Sequence, residues 1–262
     1  MPELFRMDCR RLVRWHWLHV VLGFEVAVVF LVALSNGLLS NPEVQAWLDR
    51  FGQVDYQEAA RIRQLSFLEL WNVTHLLNLL SAYLVGIYTV GEITSGFRKS
   101  IFCGRAARGG YLAAKTAAAA LVAAAVVAVY LVCGLLFSWL WGLRPPLDSA
   151  LDIAQFAFLK WLVCWAFGTM MIFAALLLQS DNSVGVLAIF VGGGMAQWWG
   201  YQVLQAAGIA PAPLQYSLAL LERAVPTAFD AGAFARVTAG SLAWGCVYTL
   251  LSLLVLKKRD AA

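Results

Sequence analysis

The side chains able to do chemistry are few in this sequence, and the most telling of them stand inside apolar runs. Glu25 interrupts the run Trp17–Leu38. A carboxylate there is costly to leave ionised against lipid, so it is protonated, paired, or turned toward a cavity or a partner subunit. We favour the cavity. His75 stands with Asn72, Asn78 and Ser81 in a second apolar run. That patch faces other helices or a cavity, serving either interhelical hydrogen bonding or a polar pathway. His75 and Lys160, which lies in a fourth run, are the conceivable partners of Glu25. His16 and His19 present two imidazoles three residues apart on a helix, but no third ligand follows. Beside Trp15 and Trp17 they read as interfacial side chains, and no metal site is expected.

Residues Gly109 to Thr116 nearly spell a phosphate-binding P-loop, with Ala114 in place of the second glycine and Lys115 in place. That loop needs a preceding strand and a glycine-permitted turn, so that backbone amides can cradle phosphate. Here the stretch opens an alanine-rich apolar run, so the chain is not expected to bind and hydrolyse ATP by itself. No Ser–His or Cys–His arrangement, paired membrane aspartates or HExxH motif is present, and no enzymatic activity of its own is expected. Cys9, Cys103, Cys133, Cys164 and Cys246 make no CxxC and no disulfide framework.

The elements that carry these residues follow from composition. The chain has 262 residues, 61% hydrophobic and 13% charged, against about 45–50% and about 25% in soluble domains. This excludes a water-soluble enzyme, a disordered chain and a nucleic-acid binder with a solvated basic face. A spanning helix needs roughly 20 apolar residues. Six runs qualify: Trp17–Leu38, Trp71–Gly91, Tyr111–Trp141, Ile153–Leu178, Ser183–Ala207 and Val237–Leu256. The expected fold is an all-α polytopic membrane protein, a single transmembrane domain over 1–262. The first run exceeds the usual apolar core of a signal peptide and contains Glu25, so it is read as a retained span.

Arg6, Arg10, Arg11 and Arg14, then Arg98, Lys99, Arg105, Arg108 and Lys115, then Lys257, Lys258 and Arg259 make twelve of the nineteen basic residues. They fall on one side of a six-span chain, which the positive-inside rule makes cytoplasmic, with both termini inside. Residues 1–16 read as a cytoplasmic interfacial helix or, equally, as a plain basic anchor. The outer loop from Leu39 to Leu70 reads as a short solvated helix. Residues 211–226 read as an outer amphipathic helix, with Leu214, Leu218, Leu221 and Val225 opposite Gln215, Glu222 and Arg223, or simply as a surface helix. Small residues in Ala117–Ala120 and Gly192–Gly194 support close helix packing or a dimer.

Residues 92–110 form the longest and most basic inner segment. Glu92, Ile93, Gly96, Phe97, Arg98 and Lys99, followed by Ile101, Arg105, Tyr111 and Lys115, resemble the cytoplasmic stretch of ABC-2 type transporter permeases. In that family an acidic residue closes span two, a glycine-containing amphipathic helix follows, and a basic run leads to a lysine entering span three. The likeness covers the six-span plan and the outer helix before span six. The size is most like the small permeases of bacterial export and antimicrobial-peptide self-protection systems. The tryptophan- and alanine-rich spans and the longer first outer loop depart from them and leave the substrate class open.

The resemblance implies a type V exporter-like permease architecture in the bacterial cytoplasmic membrane. It implies a separate ABC ATP-binding subunit as partner, with ATP and Mg held there and no cofactor in this chain. A second permease, identical or homologous, completes the pathway for a hydrophobic or amphipathic substrate such as a peptide, drug or lipid. Ile93, Phe97 and Ile101 fall four apart, giving the stripe by which a coupling helix fills a groove in a soluble partner. The same stripe also suits a helix that merely lies on lipid. The alternative to a permease is a non-transporting membrane immunity or assembly protein.

Overall fold

The computed structural model describes residues 2–50, 61–72, 75–95, 108–208 and 217–259, and its elements are all helices. They are α1 (Pro2–Arg14), α2 (His16–Ser40), α3 (Pro42–Asp49), α4 (Phe67–Leu70), α5 (Leu76–Thr94) and α6 (Arg108–Leu140). After these come α7 (Ala150–Leu178), α8 (Asp181–Gly192), α9 (Met195–Ala206), α10 (Leu218–Arg223) and α11 (Ala231–Arg259). Among them α2, α5, α6, α7 and α11 are long and apolar enough to cross a bilayer, so this is a polytopic helical membrane protein.

The expected span Ser183–Ala207 is two helices of 12 residues each, α8 and α9. Each is about 18 Å long, short of the roughly 30 Å of hydrocarbon. The break falls at Gly193 and Gly194, and Gly194 adopts φ +81°, a left-handed conformation that glycine takes without a Cβ penalty. The second expected span also starts later than its apolar run. Trp71 lies outside α5, wedged against α6: its indole donates to Ser138 Oγ at 2.9 Å, and Tyr130 Oη donates to its carbonyl at 2.7 Å. A side chain at Gly134 would meet the Trp71 ring at 3.1 Å, so glycine makes room for the wedge.

Side-chain contacts fix the directions of the helices. Trp161 Nε1 donates to the Ala120 carbonyl and Trp165 Nε1 to that of Thr116, a turn later on one helix and a turn earlier on the other. So α6 and α7 are antiparallel. Phe158 stacks on Phe234 at 5.9 Å and Phe173 meets Tyr248 at 6.1 Å, so α7 and α11 run parallel. Ser81 Oγ donates to the Cys164 carbonyl, while Gly86 lies against Met171, which sets α5 parallel to α7. It follows that α1, the start of α6 and the close of α11 share one end of the bundle, with most of the basic residues. We call this the basic end.

The centre is α7. Its Phe156, Leu159, Val163, Phe167 and Met171 are fully enclosed, and a helix apolar all round belongs in the middle of a bundle. The outer surface is apolar too: Phe24, Leu31, Val132, Val186 and Leu250 are exposed. In α2 the buried face is Leu18, Val21, Glu25, Val29, Ala33 and Gly37, a helical stripe in which Glu25 takes an apolar position.

Candidate functional site

Polar side chains enter this apolar interior at two levels, at opposite ends of α5. The basic-end cluster starts from α1. Leu4, Asp8, Leu12 and Trp15 recur at helical spacing, so Asp8 stands in the apolar stripe of a surface helix. The same helix puts Arg11 one turn on. Glu92 lies in the last turns of α5, and Tyr111 and Lys115 in the first turns of α6. Lys115 Nζ stands 2.9 Å from Asp8 Oδ1 and 2.6 Å from Glu92 Oε1, with less than a twentieth of each of these side chains exposed. Arg11 Nη1 reaches the same Glu92 oxygen at 2.7 Å. Tyr111 Oη donates to Glu92 Oε2, Tyr88 Oη donates to Asp8, and the Tyr88 ring lies 4.5 Å from the ammonium.

Two acids and two cations thus close on one another, with aromatic hydroxyls and faces taking the remaining sites. Buried charges persist when paired and hydrogen-bonded in this way. The network ties three elements together, among them both helix ends that flank residues 96–107. Lys115, the lysine of the near-P-loop stretch, is inside a helix and held by two carboxylates. Partial burial and the neighbouring Asp8 push the Cys9 thiol up, which keeps it a poor nucleophile.

The second cluster lies at the other end of α5, about 25 Å away by helix rise. His75 caps α5 in a left-handed conformation, φ +76°. Its backbone N–H donates to Glu222 Oε1 at 2.6 Å, and its Nδ1 stands 3.0 Å from Glu222 Oε2. Arg223 Nη2 lies 3.3 Å from Nε2. Arginine can only donate, so Nε2 is the acceptor of that contact, while Nδ1 lies within ion-pair distance of the carboxylate but makes no hydrogen bond to it among the described residues. Gly194 presses on this ring: a Cβ there would lie 2.8 Å from His75 Cε1. The break between α8 and α9 is therefore packed on the cap of α5.

Lys160 Nζ, enclosed in α7, is 3.8 Å from Glu222 Oε1 and makes no hydrogen bond among the described residues. Cys164 Sγ donates to Asn78 Oδ1, which leaves Asn78 Nδ2 unbonded. The Asn72 side-chain oxygen and both ends of the Gln155 amide are likewise buried without a partner among the described residues. Glu25 is fully enclosed, and neither carboxylate oxygen has a hydrogen-bond partner among the described residues.

The sequence expectations meet this geometry unevenly. Asn78 and His75 do belong to one polar interior, and Asn72 flanks it. His75 and Lys160 are not partners of Glu25; both attend Glu222. Glu222 itself is not on a solvated face. It lies four residues after Leu218 and one after Leu221, inside the buried stripe of α10, and its residue is 1% exposed. Asp8 passed unremarked among the arginines, although an acid at an apolar-stripe position points to a buried cation. Glu92 and partly buried Ile93 close α5, whereas Gly96, Phe97, Arg98, Lys99, Ile101 and Arg105 lie outside the described residues, as does the outer helix before Ser217. No protein-family model matches the chain, and no curated protein matches it.

Proposed function

We propose that the chain is the transmembrane permease subunit of an ATP-driven exporter of the ABC-2 kind. Its basic end faces the cytoplasm of a bacterium, α8 and α9 together make the fifth of six crossings, and a second permease completes the pathway. A separate ATP-binding subunit docks on residues 92–110 and holds the ATP and Mg. The export substrate is hydrophobic or amphipathic.

The observation that carries this reading is the four-charge brace. A segment that transmits a push from an ATPase to the helices must be fixed where it leaves one span and enters the next. Glu92 and Lys115 stand at those two points, 2.6 Å apart, with α1 clamped to both. Such a joint moves the ends of α5 and α6 as one piece. Replacing Phe97 and Ile101 by Asp removes the apolar stripe and leaves the brace intact. Substrate-stimulated activity of the copurified ATPase should be lost while the permease still folds. Unchanged stimulation would overturn the coupling assignment.

The alternative, a non-transporting immunity or assembly protein, is favoured by one feature. Glu25 and the groups around Cys164 are enclosed rather than open to a path. A chain that purifies as a stable monomer with no ATPase, while crosslinking in native membranes traps no second permease, would select it.

A further inference from the structure

We infer that the groove between α1 and the close of α5 binds the phosphodiester headgroup of an anionic phospholipid. The groove measures about 600 Å³ and is lined by Arg6, Arg10, Arg11 and Arg14 over a floor that includes Met7, Trp15, Ile87 and Tyr88. Arg11 is committed to Glu92. Arg6, Arg10 and Arg14 stand at four-residue intervals on one helix face, are exposed, and make no ion pair or hydrogen bond among the described residues. Like charges at that spacing repel one another. The acids nearby do not offset them: Glu92 is neutralised by Lys115 and Arg11, and Glu3 supplies a single carboxylate.

An anion with bidentate-accepting oxygens fits three guanidiniums. The apolar floor selects an amphiphile over a dissolved ion. Trp15, whose ring meets Tyr88 at 5.3 Å, sits at the turn from α1 into the spanning helix α2, at the depth where headgroups meet acyl chains. The positive-inside bias by itself asks only for a count of basic residues, to which Lys257 and Lys258 contribute equally well. The inference does not depend on the transport reading.

The test is native mass spectrometry of the full chain released from detergent with either phosphatidylglycerol or phosphatidylcholine. Three guanidiniums facing an anionic headgroup give at least about a tenfold preference for phosphatidylglycerol. Arg6→Gln/Arg10→Gln/Arg14→Gln should abolish the preference, Arg6→Lys/Arg10→Lys/Arg14→Lys should keep part of it, and Lys257→Gln/Lys258→Gln should leave it intact. Equal retention of the two lipids by the unmodified chain would overturn the inference, with no variant required. So would an undiminished preference in the glutamine variant, or displacement of the lipid by millimolar inorganic phosphate, which would make the site one for a free anion.

Discussion

The two ends of α5 carry buried charge in opposite fashions. At the basic end Lys115 has two carboxylates at hydrogen-bond distance, and acids and cations balance. At the other end Lys160 has one carboxylate at 3.8 Å, already hydrogen-bonded by the His75 backbone and 3.0 Å from its ring. Around it Asn78, Gln155 and Asn72 hold unbonded polar atoms. A closed network rigidifies, because every rearrangement would strand a charge in low dielectric. An incompletely bonded one tolerates rearrangement, since new bonds replace missing ones. The difference teaches that α5 is a lever fixed at one end and adjustable at the other, where the α8–α9 break leans on its cap.

The same substitution made at both ends is the sharpest way to break that comparison. Lys115→Met strands Asp8 and Glu92 with Arg11 alone and should cost about 3–5 kcal/mol, the usual penalty for halving a buried ion pair. Thermal unfolding in detergent reads it. Adding Asp8→Asn should recover much of the loss by leaving Glu92 with Arg11; no recovery would mean that the charges are not what holds α1 down.

Gly194→Ala comes next. The left-handed backbone and the His75 ring both oppose a Cβ there, so the cost should be about 1–3 kcal/mol. Hydrogen exchange should rise at the start of α5 and not at its close. Protection lost equally at both ends would contradict a separately adjustable cap.

Lys160→Met should cost less than about 1.5 kcal/mol, because the volumes match, Lys160 has no hydrogen bond to lose among the described residues, and Glu222 keeps the one from the His75 backbone. A loss as large as that for Lys115→Met would show that the 3.8 Å pair is stronger than its geometry allows.

The smallest effect belongs to Glu25→Gln. With no partner to lose, stability should change by less than about 1 kcal/mol. On the proposed transport function, export separates the remaining possibilities: a drop with normal assembly would show that the carboxylate works as a charge. Full export at neutral pH would show that it is structural.

Much of the architecture was legible before any coordinates. Runs of apolar residues longer than a bilayer admit only spanning or fully buried helices, because unpaired backbone amides are too costly in hydrocarbon. Local periodicity was equally informative for Asp8 and Glu222, each in an apolar stripe, yet a basic or polar neighbourhood concealed them. The fifth apolar run was the exception. Composition reads Ser183–Ala207 as continuous, while the left-handed turn at Gly194 is a conformation that an apolar sequence permits without requiring.

The sequence by itself determined the membrane class and the helical content and marked Glu25 and Lys160 as charges inside apolar runs, since these depend on side-chain type and on spacing along one helix. Only the tertiary structure decided which charges meet. Asp8 and Lys115 are 107 positions apart and His75 and Glu222 are 147 apart. Their pairing is set by the parallel and antiparallel stacking of α5, α6, α7 and α10, and by glycines that let the backbones approach. Pairing across helices depends on distance in space, and a single sequence carries distance only along the chain.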